Sequence, residues 1–455
     1  MVKIVKLILL SGGSGTRLWP LSNDSRAKQF LKVLHNEQTG DLESMVQRVY
    51  RQLSKVVAVE DMIVATNAAQ VDMLRNQLGD IPIVVEPERR DTYPAIALAC
   101  TYLYSILGMK EDEVVGVVSV DAFVDVAFYQ QVKKLEQLVM TTNADIGLLG
   151  IKPTYPSSKY GYLIPKQYTE YMQVARFVEK PSEEAAEVLI GKGAYWNSGV
   201  FAFPLKLLLN KLSKDGFSNS YEELLDHFSR LTKNSFDYEI VENLTKITAL
   251  TYDGYWKDLG TWNTLTEEMS QQVIGNGGLS EDSHNTHVVN ELDLPVKVLG
   301  ISNAVVAVSA DGILVTDKPA SSRMKDMLHD GLFSRPMYEE RRWGWYRVLD
   351  VTRKDGREVL TKRLCVEAGK NLSYQFHNHR SEVWTIISGD SIFVQDGETR
   401  MVSHGDVLSI PLGSKHSLYA LTDTELIEVQ IGDHIVEEDI TRLSNDWLEI
   451  LETIK

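Results

Sequence analysis

From Met1 to about Tyr252, short apolar runs alternate with longer amphipathic stretches, and this alternation confines the first half of the chain to an α/β fold. Ile4 to Leu10, Met62 to Thr66, Ile81 to Val85, Val114 to Val118 and Ile146 to Ile151 are strand-like, whereas Gln70 to Leu78 and Pro94 to Leu107 carry helical spacing. Strands separated by helices build βαβ units, so a domain with a mostly parallel sheet is expected over residues 1–270. The texture then changes. Thr286 to Val289, Val296 to Ile301, Ala304 to Ala307 and Gly312 to Thr316 are short strands broken by Asn, Asp and Gly, followed by a short helical stretch from Lys318 to Asp330. This reads as a small β connector over residues 271–335. Past Arg341 the pattern is all β, with turn signals at Asp355-Gly356, Ala368-Gly369, Ser388-Gly389-Asp390 and Asp396-Gly397, so a barrel or jelly roll is expected over 336–455. Asp439 to Ile454 has helical spacing and is expected to pack as a terminal helix.

Composition excludes several classes of function. The 455 residues hold 47 Lys plus Arg against 63 Asp plus Glu, a formal net charge of -16, so nucleic acid and anionic membrane are not expected as partners. A small phosphorylated substrate is still compatible, because a few backbone amides and local cations can hold it. Two cysteines, Cys100 and Cys365, do not make a disulfide framework and point to a reducing compartment. Lys3 and Lys6 ahead of Leu7-Ile8-Leu9-Leu10 are too short a pattern for a signal peptide, and no run of 18 apolar residues occurs. A cytoplasmic protein is the expectation.

After the first strand comes Ser11-Gly12-Gly13-Ser14-Gly15-Thr16-Arg17. Glycines let the backbone approach an anion and turn its amides toward it, and Arg17 adds a cation, so the segment reads as a phosphate cradle. It lacks the Gly-Lys-Ser/Thr ending of a Walker loop and is not G-x-G-x-x-G. With Leu18-Trp19-Pro20 and Lys28-Gln29-Phe30, this loop resembles the signature of the sugar-1-phosphate nucleotidylyltransferases, and Trp19 with Leu21-Ser22 is most similar to the bacterial mannose-1-phosphate guanylyltransferases. Further motifs follow in that family's order: Glu86-Pro87, Arg90-Asp91-Thr92 and Pro94-Ala95-Ile96; then Tyr160-Gly161-Tyr162, Phe177-Val178-Glu179-Lys180-Pro181 and Trp196-Asn197-Ser198-Gly199; then Trp256-Lys257-Asp258-Leu259-Gly260.

The resemblance implies a Rossmann-like nucleotidyltransferase domain that uses GTP and mannose 1-phosphate with Mg²⁺. It implies that Ser11, Gly12, Gly13, Gly15, Thr16 and Arg17 hold the triphosphate and that Lys28 stabilises charge at the transferring phosphorus. Asp121 and Asp258 would bind the metal. Glu86, Arg90, Thr92 and Pro94 belong to the base end, and Gly161, Glu179, Lys180 and Asn197 to the sugar phosphate. Such a reaction rests on positioning and charge neutralisation, with no covalent protein intermediate. One departure stands at Ser119-Val120-Asp121-Ala122, where the family usually reads Pro-Ala-Asp-His. Another nucleotide or hexose 1-phosphate stays open, as does a regulatory nucleotide-sugar-binding subunit; the presence of Arg17, Lys28, Asp121 and Asp258 counts against the latter.

In the last domain, Gln375-Phe376-His377-Asn378-His379-Arg380-Ser381-Glu382 and a later Gly405…Pro411-x-Gly413-x-x-His416 resemble both halves of the cupin signature. Imidazoles and a carboxylate converging in a barrel suit Zn²⁺, Mn²⁺ or Fe²⁺. On a strand, residues 375, 377 and 379 point the same way, so Gln375 and His379 are equally eligible ligands beside His377, Glu382 and His416. With Trp343-Gly344, Tyr346 and Ile427-Glu428-Val429-Gln430, the domain resembles the type II mannose-6-phosphate isomerases. That resemblance implies Gln375, His377, Glu382 and His416 as ligands, Arg380 as a phosphate or enediolate contact, and interconversion of mannose 6-phosphate and fructose 6-phosphate. Asn378 in the family's His-His-His-Arg run, the altered residues after His416 and a missing terminal Tyr-Gly-Arg leave a structural or regulatory cupin open. A homodimer is implied by family analogy alone.

Overall fold

The apolar run Leu7 to Leu10 lies inside a nine-stranded sheet, which is why it is apolar on both faces. The computed structural model describes residues 6–13, 16–23, 25–328 and 335–454. Strands β1 (Lys6–Leu10), β2 (Met62–Asn67), β3 (Ile83–Glu86) and β4 (Val114–Ser119) pair in parallel in the order β3-β2-β1-β4. The sheet continues with β5 (Ile146–Ile151), β6 (Tyr162–Tyr168), β7 (Met172–Val178), β8 (Tyr195–Pro204) and β9 (Ile247–Tyr252), in the order β8-β5-β9-β7-β6. Here the parallel expectation needs correction. β9 is parallel to β5, but β8 runs antiparallel to both β4 and β5, and β7 is antiparallel to β9 and β6. Only Thr169, Glu170 and Tyr171 join β6 to β7, and so short a connection permits only a hairpin. The sheet is mixed.

The helix Thr92–Thr101 is buried from Tyr93 onward and continues into a π-helical turn, Tyr102–Ile106. Helix Val126–Thr142, capped by the Asp125 carboxylate on the Phe128 amide, presents Phe128, Tyr129, Val132, Leu135 and Val139 to the interior. No helix among the described residues is long and apolar enough to cross a membrane.

The chain folds into two compact units, Met1–Leu18, Ala27–Gln272 and Lys318–Ser322 in one, Trp19–Arg26, Val273–Asp317 and Arg323–Lys455 in the other. In the second unit, Val273–Ile274, His287–Asn290 and Ala304–Ser309 pair in parallel as successive turns of a coil, closed by antiparallel Gly312–Asp317. Trp19–Arg26 packs with this coil: the Ser309 hydroxyl donates to the Pro20 carbonyl at 2.7 Å, and Asn23 Nδ2 to Asp311 Oδ2 at 2.7 Å. A Cβ at Gly312 would come within 2.5 Å of the Trp19 ring, so the approach requires glycine.

The rest of the second unit is a jelly roll of a six-stranded and a five-stranded sheet. Its hairpins turn at Asp355-Gly356 and Asp396-Gly397, where both central residues have positive φ, the twist-matched two-residue turn. Ile440–Ser444 departs from the helical expectation: it is an edge strand paired with Tyr374–His377, and only Trp447–Thr453 is helical. Pairing along an otherwise open sheet edge outweighs a short helix's weak intrinsic propensity.

Candidate active site

The glycine loop is pinned where it leaves β1. Ser11 is buried and its amide donates to the Ala65 carbonyl at 3.0 Å, while Gln29 Nε2 donates to the Ser11 carbonyl at 2.6 Å and Gln70 Nε2 to that of Gly13 at 3.3 Å. Gly12 and Gly13 line a cleft of about 620 Å³. Gly15 lies outside the described residues. Thr16 and Arg17 form a single 3₁₀ turn; Arg17 is exposed and is not in the cleft wall, yet its charge reaches Lys28.

Lys28 opens the 3₁₀ turn Lys28–Phe30. Asp121 follows β4 and leads into the short strand Ala122–Val124, which pairs antiparallel with Trp256–Asp258 so that Asp258 sits opposite Ala122. That ribbon brings two carboxylates, far apart in sequence, onto one ammonium: Lys28 Nζ is 3.1 Å from Asp121 Oδ2 and 3.4 Å from Asp258 Oδ1. Burial works against the Lys28 ammonium, but Asp121 and Asp258 outweigh it and hold its pKa above the ordinary value. Asp121 is likewise opposed by burial and held below the usual carboxylate range by Lys28 and by the Ser119 hydroxyl, which donates to it. Two acids against one base leave carboxylate charge over, and hard oxygen donors suit a divalent cation such as Mg²⁺.

At one end of the cleft Glu86 closes β3, 5% exposed and pushed up to about 7 by burial, with Arg89 opposing and Asp91 adding. Arg90 and Thr92 line the same wall; Arg90 Nε donates to the Leu231 carbonyl at 3.1 Å, and the Thr92 hydroxyl accepts the Phe236 amide at 2.8 Å. Pro94 is not brought there. It sits within the first turn of Thr92–Thr101 and is buried away from the cleft lining.

Glu179, Asn197 and Gly161 meet in another part of the cleft. Asn197 still pairs with Gly150 in the ladder; the β8 register breaks just after it, between Asn197 and Phe201, and Asn197 lines the cleft. Its amide nitrogen Nδ2 donates to Asp237 Oδ1 at 2.7 Å, and its Oδ1 accepts the Gly199 amide at 3.2 Å. Lys180 Nζ pairs with Glu179 Oε1 at 2.8 Å, although Lys180 is half-exposed and outside the lining. Asp237, pushed up to about 7 by burial and then by Glu179, is a cleft residue that sequence reasoning missed. Nothing local marks it, since its partners come from distant strands. Tyr160 and Trp256, legible only as motif letters, also line the cleft with rings 5.4 Å apart, edge to face.

The second unit holds a separate cluster. His377, Glu382 and His416 are buried and offer ligand atoms within 4.8 Å of one another. His416 Nδ1 lies 3.0 Å from the Ser414 carbonyl, which fixes its proton there and leaves Nε2 as a lone pair without a hydrogen-bond partner. Neither ring nitrogen of His377 has such a partner; its Nε2 is 3.1 Å from Glu382 Oε1. Burial works against the Glu382 carboxylate, but His377, His416 and Arg380 keep it ionised, far below the usual range. Orphaned imidazole nitrogens around an ionised carboxylate fit a divalent transition metal. Gln375, half-buried, lies directly across the ladder from His416. His379 does not join them. The strand ends at His377, and Asn378 and His379 form an exposed turn whose amides donate to the Asp439 carboxylate, so two-residue alternation no longer applies. Arg380 is buried with its Nε 2.9 Å from Glu382 Oε1, and sequence reasoning gave no role to Trp384, whose Nε1 donates to Glu382 Oε2 at 3.0 Å.

Residues 6–273, more than half of the chain, match the nucleotidyl transferase family. The chain is a nucleotidyl transferase. Residues 334–445 of this nucleotidyl transferase match a second model, the mannose-6-phosphate isomerase C-terminal domain. It is 32% identical to the xanthan biosynthesis protein XanB of Xanthomonas campestris pv. campestris, over 97% of this chain and 98% of the relative. It is 30% identical to the mannose-1-phosphate guanylyltransferase ManC of Salmonella typhimurium, over 97% of each. Among solved structures, a Thermus thermophilus protein described as a mannose-1-phosphate geranyltransferase superposes with a TM-score of 0.59 at 27% identity, covering 71% of this chain and 98% of that one. Nucleotidyl transferases and isomerase-type cupins generally use divalent metals, in keeping with the Asp121–Asp258 pair and the His377–Glu382–His416 cluster.

Proposed function

We propose that the first unit transfers a guanylyl group from GTP to mannose 1-phosphate. A phosphate oxygen of mannose 1-phosphate bonds to the α-phosphorus, the bond from that phosphorus to the bridging oxygen breaks, and GDP-mannose and pyrophosphate result. The observation that carries this reading is the Lys28 ammonium held between Asp121 and Asp258, two carboxylates that line the cleft. Ser11, Gly12, Gly13, Gly15, Thr16 and Arg17 receive the triphosphate, and Lys28 neutralises charge as it gathers at the transferring phosphorus. Glu86, with Arg90 and Thr92, takes the base. Gly161, Glu179, Lys180 and Asn197 take the sugar phosphate. A Mg²⁺ ion held by Asp121 and Asp258 supplies further screening of phosphate charge when bound. Pyrophosphate release, run with Mg²⁺, mannose 1-phosphate or glucose 1-phosphate, and GTP, ATP, CTP or UTP, tests the assignment. Release confined to GTP with mannose 1-phosphate supports it; release with another pair moves the substrates and keeps the mechanism; none with any pair refutes the reading.

The orphaned imidazole nitrogens of His377 and His416 support a second activity, metal-dependent interconversion of mannose 6-phosphate and fructose 6-phosphate. Gln375, His377, Glu382 and His416 hold a Zn²⁺, Mn²⁺ or Fe²⁺ ion, which polarises the substrate carbonyl when bound. Arg380, beside Glu382, contacts the phosphate or enediolate oxygen. Fructose 6-phosphate formation from mannose 6-phosphate by metal-loaded protein, absent in His377→Ala, is the test.

A further inference from the structure

The second unit contains a cavity of about 450 Å³ that shares no lining residue with the nucleotide cleft. One side comes from Arg26 and from Glu291 and Asp293 of the β coil, the other from the outer face of the jelly roll. Along the strand Gly344–Lys354, Trp345 and Arg347 are two residues apart and share that face, and Arg347 lies directly opposite Tyr338 in the ladder.

Two donors there are unspent. The Arg26 side chain is 9% exposed and gives both terminal nitrogens to the Glu291 carboxylate, each at 2.9 Å, which leaves its buried Nε–H without an acceptor among the described residues. Arg347 reaches Asp293 with one terminal nitrogen at 3.3 Å, and its Nε–H is also buried without an acceptor. A buried N–H left unmade is costly, so a cavity edged by two of them favours an occupant that brings acceptors.

The charge balance narrows what those acceptors are. Glu291 pairs with Arg26, Asp293 with Arg347, and the third guanidinium of the lining, Arg363, with Glu425, so a free phosphate would find every cation already paired and the cavity is a poor anion trap. Neutral hydroxyl groups accept from guanidinium N–H and donate to carboxylates at once. Beside Leu292, Ala310 and Arg363, the lining holds two aromatic rings, Tyr338 and Trp345, with centroids 6.1 Å apart and planes tilted by 31°; the Arg26 guanidinium covers one face of Tyr338, 5.2 Å from its centroid. Amphipathic aromatic surface suits the C–H face of a sugar ring. The volume falls in the ordinary small-molecule range of about 300–1,000 Å³.

We propose that this cavity is a carbohydrate site in which a hexose ring rests on Trp345 and Tyr338. Its hydroxyl oxygens accept from the Nε–H groups of Arg26 and Arg347, and its hydroxyl protons are given to Glu291 and Asp293. The hexose is free, phosphorylated or the sugar end of a nucleotide sugar, and the probes distinguish these.

The full-length protein, labelled with 5-fluorotryptophan, is titrated with D-mannose, mannose 1-phosphate and GDP-mannose while its eight tryptophan ¹⁹F resonances are followed. The Trp345 resonance, identified by its loss in Trp345→Phe, moves saturably with at least one probe. Arg347→Met raises that midpoint by about tenfold or more, and leaves both the midpoint at Trp256, in the nucleotide cleft, and pyrophosphate release unchanged. Asp293→Ala weakens the Trp345 response in the same sense, and because its side chain is 88% exposed this variant carries no folding burden. A Trp345 resonance that moves with none of the probes overturns the proposal. So does one whose midpoint follows Trp256 in every variant, or one that is indifferent to both substitutions. Silence at Trp256 bears on the nucleotide cleft alone.

Discussion

Gly161→Ala tests whether the sugar end of the cleft works as a rigid frame. A Cβ at position 161 would fall 2.5 Å from Glu179 Oε2, 2.5 Å from Phe177 Cζ and 2.8 Å from Phe177 Cε2. Comfortable heavy-atom contacts lie at about 3.5–4.0 Å, so the ring and the carboxylate must each retreat by about 1 Å. Neither is free to do so. Phe177 is 4% exposed, and Glu179 is tied to Lys180 at 2.8 Å while its amide donates to Glu242 at 2.9 Å. Overpacking of this kind costs about 1–3 kcal/mol of stability. A displacement of about 1 Å in a positioning group costs about 10²-fold in rate. The expected outcome is therefore a kcat/KM for mannose 1-phosphate lowered about 10²-fold, with GTP affinity unchanged because Glu86 and the glycine loop are untouched. Steady-state pyrophosphate release with each substrate varied in turn, beside urea melts, reads both effects. Gly191→Ala is the control, since a Cβ there meets nothing within 4 Å. A kcat/KM within about twofold of wild type, in a protein whose stability has fallen, would show that Phe177 alone absorbs the methyl group and would refute the rigid frame.

Lys28→Met keeps the side-chain length, removes the charge between Asp121 and Asp258, and should lower pyrophosphate release about 10³-fold with far-ultraviolet circular dichroism unchanged; activity near wild type would remove Lys28 from the chemistry. Glu86 has a folded pKa of about 7 against an ordinary 4.5, so its contribution to stability is complete below the unfolded value and is lost as pH rises through about 7. That gap corresponds to about 3 kcal/mol, and Glu86→Gln should flatten urea-melt stability between about pH 5 and about pH 8 by that order; parallel profiles for the two proteins would contradict the assignment. His377→Ala should abolish bound transition metal by elemental analysis and end sugar-phosphate interconversion while sparing nucleotidyl transfer; full metal occupancy in the variant would dismiss the cluster.

Residues embedded in local patterns are legible from the sequence. The glycine loop, Lys28, Asp121 and Asp258 each sit in a recognisable string, and the structure brings the last three together. What brings them together is the ribbon between Ala122–Val124 and Trp256–Asp258, a pairing across such a length of chain that no window reveals it. Asp237 is invisible for the same reason: it sits in the short helix Phe236–Glu239, and its meaning lies in an Asn197 amide on a distant strand. His379 shows the opposite failure, a local rule carried one residue too far, because alternation holds only while the strand lasts. The direction of β8 is equally hidden, since apolar runs reveal that a strand is buried but not which way it runs.

The segment Trp19–Arg26 carries a consequence for how the chain is made. It is made well before the β coil, since the Ser309 hydroxyl that caps the Pro20 carbonyl lies 289 positions later. At about 5–20 residues per second, that partner arrives about 15–60 s after the segment itself. During that interval the segment lacks its β-coil partners, Glu291 for Arg26, Ser309 for Pro20 and Asp311 for Asn23. A ribosome-bound chain arrested before Ser309 should therefore expose Trp19 to proteases and chaperones long after the surrounding strands have paired, because what holds this early segment is synthesised among the last residues of the β coil.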